Sequence, residues 1–363
     1  MIRVPAMREP EAPTKPRRQA RSRFGAGATG LLVAVMVVAL VVACVLSVFF
    51  GSRSVTFGQV IQAFSMPSGA AGDAGQDAGI TGEVVRLRVP RTVLGMLVGA
   101  ALAVSGALMQ GVMRNPLADP SILGLNSGAA FAVVCAIATV GLSTPAQYMI
   151  VALVGGAAAA ALVWVLGSLG RTGATPLKFT LAGAVLGSAL GSLTSAIMLP
   201  RADVISTYRF WQVGGISGAR FDLMAPVVPM LLIGFAIAAV SARQLDMLAL
   251  GDQMAAGLGV NVTRARALAW AGAVLLSAGS TALAGPIGFV GLVVPHAARI
   301  IVGSDYRRII ALCMLIGPLL LVSSDVIGRV VSRPADVEVG IVTALIGAPV
   351  FVALVRAGKT AEV

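Results

Sequence analysis

Long apolar segments follow one another along most of the chain, and this repetition constrains the fold more than any motif does. The first, LLVAVMVVALVVACVLSVFF at residues 31–50, contains no charged residue. A helix needs roughly 20 apolar residues to cross a hydrocarbon core of about 30 Å. Because the segments are continuous rather than alternating, they do not fit a transmembrane β-barrel. The chain is therefore predicted to be an all-α polytopic membrane protein.

Matching the apolar segments to the polar breaks between them predicts about ten transmembrane helices. The predicted spans are 30–50, 92–112, 124–142, 147–168, 177–199, 223–241, 266–286, 289–302, 308–331 and 338–356. The eighth is so short that we expect a tilted or broken helix there. Small residues recur at helix-packing spacing in 154–162 and 182–192, and they predict closely packed neighbours for both segments.

The basic residues orient this bundle. The net charge is +12, and most of the 27 Lys and Arg residues fall in segments that a cytoplasmic N-terminus would place inside. Residues 1–29 are basic and proline-rich and predict a disordered cytoplasmic tail, 30–356 form the transmembrane domain, and 357–363 form a cytoplasmic C-terminal tail. Both termini are expected in the cytoplasm. Because the membrane topology accounts for the charge, we expect the lipid bilayer and no nucleic acid as a partner.

A cleaved signal peptide is the alternative for the N-terminus. VVAC, ending at Cys44, faintly resembles a lipoprotein cleavage box, but the apolar segment continues past the cysteine. A mature lipoprotein would turn polar there, so a first transmembrane span is favoured.

Some basic residues lie on the outside, where the topology does not require them. Arg86, Arg88 and Arg91 stand together in RLRVPR, and Arg329 and Arg333 flank the loop before the tenth span. Such a concentration indicates an acidic partner or an anionic ligand on the outer face. In the first outer loop, residues 68–83 are rich in Gly and Ala and predict a flexible linker.

No group of residues in the sequence suggests covalent catalysis. His296 is the only histidine, and neither a Ser/His/Asp set nor a metal-binding spacing is present. We expect no enzyme activity and no cofactor bound by this chain. An ion-coupled secondary transporter would need ionisable groups within the membrane, and the candidates are His296, Arg299 and Asp325. Each lies near the end of a predicted span, so a separate ATPase subunit is the favoured energy source, with ion coupling as the alternative.

Four segments together resemble the permease subunits of ABC importers for iron-siderophores, haem and vitamin B12, in the same order along the chain. They are residues 86–129, containing RLRVPR and RNPLADP, 248–260 (LALGDQMAAGLGV), 284–308, containing GLVVPHAARI, and 339–351 (VGIVTALIGAPVF). The resemblance covers roughly 30–356 and implies the ten-helix permease fold of type II ABC importers. It also implies a second permease subunit, two copies of an ABC ATPase subunit and an extracytoplasmic solute-binding protein. ATP and Mg²⁺ would be used by the ATPase.

The same resemblance implies roles for individual residues. Arg88, Arg91 and Arg329 match outer-face arginines that receive glutamates of the binding protein. The cytoplasmic gate would contain Asn115, Leu117 and Thr175, in the loops after the second and fourth spans. The positions that contact the ATPase would be Leu250, Gly251, Asp252, Met254, Ala255, Leu258, Gly259 and Val260, within coupling helices at 248–262.

The residues of that segment also favour a docked helix on physical grounds. Leu250, Met254 and Leu258 fall on one face of a helix of about ten residues, Asp252 suits its N-terminal end, and Gly257 and Gly259 suit its end. A helix this short is marginal in water and needs a surface on which to lie. Its small residues fit a protein groove better than a lipid surface.

One departure from the family pattern bears on the substrate. Before the tenth span, Asp336 and Val337 fit the family, but Glu338 stands where a proline is common. This loss, together with YRFWQVGGISG at 208–218, is similar to ferric enterobactin-type permeases, which pair with a different second permease. We therefore expect a ferric siderophore, catecholate-like, and a heterodimer in the cytoplasmic membrane of a bacterium. A haem or cobamide importer is the alternative within this architecture.

Overall fold

The computed structural model describes residues 26–51, 58, 76–169, 175–333 and 335–359, which form α-helices joined by short connections and one 3₁₀ turn at Pro120–Leu123. The first six helices are α1 (Ala26–Phe49), α2 (Gln76–Met113), α3 (Leu125–Thr139), α4 (Pro145–Ser168), α5 (Pro176–Met198) and α6 (Ala202–Gln212). They are followed by α7 (Phe221–Met224), α8 (Val228–Ala249), α9 (Asp252–Gly257), α10 (Val262–Ala284), α11 (Val290–Val302), α12 (Tyr306–Val331) and α13 (Val339–Lys359).

Each of the ten predicted spans overlaps an apolar helix, so the prediction of an all-α polytopic fold is confirmed. Seven described helices, α1, α2, α4, α5, α8, α10 and α12, have the length and composition to cross a membrane. The shorter apolar helices are α3, α11 and α13. Helix α11 is the short eighth span, with Pro295 inside it and Gly303 ending it at φ 82°.

Helix α2 is the central element of the bundle. Of the 18 consecutive residues that form the most apolar part of α2, 83% are buried, whereas the corresponding share is 11% in α1 and in α5. It packs against α12, α10, α11 and α8. The approach to α11 is so close that a Cβ atom at Gly106 would lie 1.9 Å from the carbonyl oxygen of Gly291. Only glycine permits this backbone contact, which holds α2 and α11 directly against each other at the centre of the bundle.

The small residues pack closely in the first segment and only in part in the second, where Gly183 is buried and a Cβ atom at Gly187 would lie 3.9 Å from the Cα atom of Gly124. In α4 within 154–162, Gly155 and Ala159 face Ala132 and Gly128 of α3 so closely that added Cβ atoms at the glycines would collide. The segment 182–192 lies in α5, where a Cβ at Gly191 would meet nothing within 4 Å. Helix α5 contacts the described bundle along one side only, so most of its small residues are exposed.

The predicted flexible loop at 68–83 is wrong for residues 76–83, which form the first turns of α2. No proline interrupts these residues, and Ala78 and Glu83 favour a helix, so the backbone hydrogen bonding of α2 continues outward. Residues 68–75 lie outside the described part of the chain.

The predicted tails also need correction at their inner boundaries. Residues 26–29 belong to α1 and residues 357–359 to α13, because each helix extends beyond its most apolar part. The rest of the two tails, 1–25 and 360–363, lies outside the described residues.

Candidate functional site: two polar centres at the ends of α2

Two groups of charged side chains lie at opposite ends of α2. Arg91 is in its outer part, and Arg114 follows its last residue. Arg91 and Arg114 are 23 positions apart in the sequence, and at 1.5 Å per residue this separation corresponds to roughly 34 Å, close to the thickness of a bilayer core. We name the two ends outer and inner, following the orientation that the basic residues predict.

The outer arginine cluster consists of Arg88, Arg91, Arg329, Asp325 and Asp336. Arg91 donates from Nε and Nη2 to Asp325 Oδ1 at 3.0 and 2.8 Å, and from Nη1 to Asp336 Oδ2 at 2.9 Å. It therefore connects α2 to α12 and to the segment before α13. Asp325 lies between Arg91 and Arg329.

The other two arginines of the cluster hold the outer end of α1. Arg329 donates to the carbonyl oxygen of Ser47 at 3.0 Å and to its hydroxyl at 2.7 Å. Its Nη2 also lies 2.8 Å from Asp325 Oδ2, an ion pair without hydrogen-bond alignment. Arg88 Nη1 donates to the carbonyl oxygens of Val48 and Phe49 at 2.9 and 3.0 Å. These bonds satisfy carbonyl groups that the end of a helix leaves without partners.

Burial changes the interpretation of the three arginines. Their exposed fractions are 5% for Arg88, 8% for Arg91 and 2% for Arg329. Each guanidinium is directed inward, to the aspartates or to α1, so docking at these arginines remains a prediction that must take their present partners into account. The cluster still contains three arginines and two aspartates, so it keeps an excess of positive charge.

The inner centre begins with the predicted coupling segment. Its helix, α9, has six residues rather than about ten and starts at Asp252, where the sequence placed its N-terminal end. The residues on either side turn sharply, with Gly251 at φ 111° and Gly259 at φ 84°. Residues 248–249 complete α8, and Val262 begins α10.

The side chains of α9 and its flanks divide into an exposed and a buried set. Leu250, Met254 and Leu258 are 51%, 60% and 58% exposed, although all three are large and apolar. Ala255 is fully buried, and Val260 packs partly buried against the core. The segment is thus anchored on one side and presents an apolar surface on the other, although only Met254 of the three exposed residues lies within the helix itself.

Asp252 forms two ion pairs that the sequence did not predict. Its Oδ1 accepts from Nη2 of Arg266 at 2.8 Å and also from Nη2 of Arg114. Burial, and the neighbouring positive charge of Arg266, lower the pKa of Arg114, which remains charged because a guanidinium titrates far above neutrality. A signal was available: Arg114 directly precedes NPLADP, and Arg266 lies in the first turns after the coupling segment.

Two of the predicted gate residues, Asn115 and Leu117, follow Arg114 in the loop after α2. The amide oxygen of Asn115 accepts from the backbone N–H of Leu117 at 2.9 Å, closing a turn in which Leu117 is 47% exposed. Asp119 caps the 3₁₀ turn through Ser121, and burial raises the pKa of its carboxyl. The third gate residue, Thr175, precedes α5 and makes no side-chain capping bond.

A cavity of about 640 Å³ opens in the outer half of the molecule. Its lining includes Tyr148, Trp211, Ser217 and Glu338, the residue that departs from the family pattern. The Ser217 hydroxyl donates to Glu338 Oε1 at 3.0 Å, and Gly215 leaves room for Oε2. Among the described residues, no group of three or more His, Cys, Asp or Glu side chains is arranged to hold a metal ion.

The architecture corresponds to that of a solved transporter. A metal-chelate type ABC transporter in an inward-facing conformation superposes with a TM-score of 0.76 and 28% identity, covering 90% of this chain and 99% of that one. PsaBC from Streptococcus pneumoniae, with a TM-score of 0.51 and 17% identity, shares the fold over 74% of this chain. The chain is a multi-pass permease subunit of an ABC importer with the type II fold, a transporter component rather than an enzyme.

Sequence comparison gives the family. The model of the FecCD transport family matches residues 39–357, and the chain belongs to that family. The ferric enterobactin transport system permease protein FepD of Escherichia coli is 39% identical over 87% of this chain and 92% of its own length. The Fe(3+)-citrate import system permease protein YfmD of Bacillus subtilis is 42% identical over 75% of this chain and 81% of its own length. The cobalamin import system permease protein BtuC of Halobacterium salinarum is 38% identical over 74% of this chain and 72% of its own length.

Proposed function

We propose that this permease carries a ferric siderophore, of catecholate type, into the cell as one half of a heterodimer driven by two ATPase subunits. The similarity to a ferric enterobactin permease along nearly the whole chain supports the substrate class. The presence of Glu338 in place of the family's proline points the same way. Citrate- and cobalamin-importing relatives make these substrates the competitors in any test.

The main support for the position of the transport pathway is the exposed side of α5. Its most apolar window has a mean hydropathy of 1.6, against 3.2 for the equally exposed α1. Thr180, Ser188 and Ser192 are exposed along it. Thr180 and Ser192 donate within their own helix, which leaves oxygen lone pairs to accept from water or substrate. A hydroxyl-bearing face of this kind suits a polar passage between two permeases better than it suits lipid tails.

Uptake into membrane vesicles tests both the class of transporter and the substrate. Vesicles containing both permeases, the ATPase and the loaded binding protein should accumulate ferric enterobactin, and far less ferric hydroxamate, ferric citrate or cobalamin. A catalytically dead ATPase should abolish uptake, and an uncoupler should leave it intact. Uptake that survives the dead ATPase but stops with the uncoupler would overturn the ATP-driven reading in favour of ion coupling. Preferential uptake of another substrate would overturn the catecholate assignment alone.

The binding protein is proposed to dock on the outer arginine cluster. The excess positive charge there favours acidic residues on the partner. Asp336 is 27% exposed at its side chain, whereas Asp325 is 1% exposed, so an incoming carboxylate can replace Asp336 on Arg91 and leave the inner pair intact. Docking would then exchange one ion pair of the cluster for another rather than use free arginines.

Binding-protein affinity, measured with the importer in nanodiscs, tests this exchange. Asp336→Asn should strengthen association, because the carboxylate that competes for Arg91 is gone. Arg88→Gln should weaken association roughly tenfold, because the cluster loses one of its positive charges. Arg220→Gln is the matched control, since Arg220 is an exposed outer arginine paired with Asp222. Equal effects of Arg88→Gln and Arg220→Gln, in variants with unchanged thermal unfolding, would remove the cluster from the docking surface.

A further inference from the structure

The ion pairs of Asp252 join three parts of the inner end that are distant in sequence. Asp252 is the first residue of α9, Arg114 follows the last residue of α2, and Arg266 lies in the first turns of α10. We call this group the Asp252 bridge. It connects the segment with the exposed apolar surface to the segment that contains Asn115 and Leu117.

The two arms of the bridge differ in burial. The Arg266 side chain is 6% exposed, the Arg114 side chain 31% and the Asp252 side chain 46%. A buried guanidinium is costly without a carboxylate, so the Arg266 arm holds Asp252 firmly on α10. The Arg114 arm lies nearer to water, where an ion pair is weaker and can break and form again at little cost. Arg266 is thus the stronger partner of Asp252, and Arg114 is the partner whose ion pair breaks more easily.

The backbone around Arg114 is short and tightly bonded. Arg114 has φ 48°, and apart from Phe289 it is the one described residue other than glycine with a positive φ. Its N–H donates to the carbonyl of Gly111, and that of Asn115 to the carbonyl of Gln110. The turn then closes from Leu117 onto the Asn115 side chain. This arrangement is a C-terminal cap of α2, in which a left-handed residue and two backbone bonds satisfy carbonyl groups at the end of the helix.

We propose that the Asp252 bridge transmits movement of the coupling segment to the gate segment, with Asp252 as a positioning residue and Arg114 as its receiver. This inference rests on the proposed function, because it requires that an ATPase move α9. When α9 shifts, Asp252 draws Arg114 with it or releases it. Either event displaces Leu117 three residues later, without any rearrangement of the closely packed body of α2.

The test uses the complete importer and a reporter at the gate. In a chain whose natural cysteines are replaced, Leu117→Cys is labelled by a maleimide that does not cross membranes, with and without ATP. In the parent, ATP should change the labelling rate by roughly fivefold or more. Arg114→Gln should abolish this response while ATPase binding and hydrolysis persist, and Arg114→Lys should restore it. Asp252→Asn should also reduce the response.

Arg243→Gln is the matched control, because Arg243 is an exposed arginine on the inner part of α8 that lies outside the bridge. It should respond to ATP as the parent does. An undiminished response in Arg114→Gln, in protein with unchanged thermal unfolding, would overturn the bridge as the link. An equal loss in Arg243→Gln would overturn it too, since charge alone would then be the cause. If the parent does not bind an ATPase at all, the proposed function is wrong, and so is the proposal that the Asp252 bridge transmits movement to the gate segment.

Discussion

At the scale of single residues, Asp325 determines whether the outer arginines can be buried. Its two oxygens lie 2.8 Å from Arg91 on one side and 2.8 Å from Arg329 on the other. A buried guanidinium without a carboxylate carries a desolvation cost of several kcal/mol. One aspartate therefore lets two charged side chains remain inside the bundle, and one of them, Arg329, also holds the end of α1 through Ser47.

Replacement of Asp325 should consequently destabilise the fold rather than only weaken docking. Asp325→Ala leaves Arg329 with Ser47 and the backbone carbonyl of residue 325 but without a carboxylate, and it should lower the free energy of unfolding by about 3–5 kcal/mol. Thermal unfolding in detergent measures this loss. Asp222→Ala is the control, because Asp222 forms an exposed pair with Arg220 and its removal should change little. Similar melting temperatures for the two variants would show that the cluster does not hold the bundle together.

At the scale of elements, the coupling segment combines a buried anchor with an exposed apolar surface. Ala255 fixes α9 against the bundle, and Leu250, Met254 and Leu258 remain uncovered. Exposed apolar side chains grouped in this way mark an interaction surface. A six-residue helix has little stability of its own, so a protein groove is expected to cover it in the assembled importer.

A charge placed in that surface should separate ATPase binding from membrane insertion. Leu258→Asp is expected to abolish co-purification of the ATPase and uptake, while the permease still inserts and unfolds at the parent temperature. Val140→Asp, which alters an exposed apolar residue at the outer end of α3, should leave ATPase binding unchanged. If Leu258→Asp still co-purifies with the ATPase, the segment is an ordinary loop.

At the scale of the whole molecule, the described bundle is complete around α2 and incomplete along α5. Two of its long helices, α1 and α5, have only 11% of their most apolar residues buried, but they differ in hydropathy. Lipid suits the more apolar α1, and a second permease subunit suits α5. The interface between subunits is therefore expected on the side of α5.

Cross-linking distinguishes these two exposed helices. Val185→Cys in α5 and Val38→Cys in α1 are matched, with exposed fractions of 69% and 62%. In chains without the natural cysteines, Val185→Cys should cross-link to the second permease, and Val38→Cys should not. Two differently tagged copies of this chain, produced without that second permease, should not co-purify. Their co-purification would favour a homodimer.

The transmembrane helices were predictable because each depends on its own composition. Helix α11 was recognised as a short span, and Asp252 as the start of a helix, from local patterns alone. The region 76–83 was misread because its glycines suggested a loop, whereas the adjoining packed helix extends through it. The small residues of α5 predict close neighbours, but they do not reveal whether a neighbour belongs to the same chain, and within this chain only Gly183 and Gly187 pack closely.

Local patterns of hydropathy and glycine were sufficient to predict an all-α polytopic fold and a short helix that starts at Asp252, because both depend on neighbouring residues along the chain. Only the tertiary structure decided what each charged residue contacts. Arg91 and Asp325 are 234 positions apart, and Asp252 and Arg114 are 138 apart. A charge within a membrane protein must find a partner, but packing of the helices decides which partner lies within reach, and it buries Arg88, Arg91 and Arg329 in one cluster.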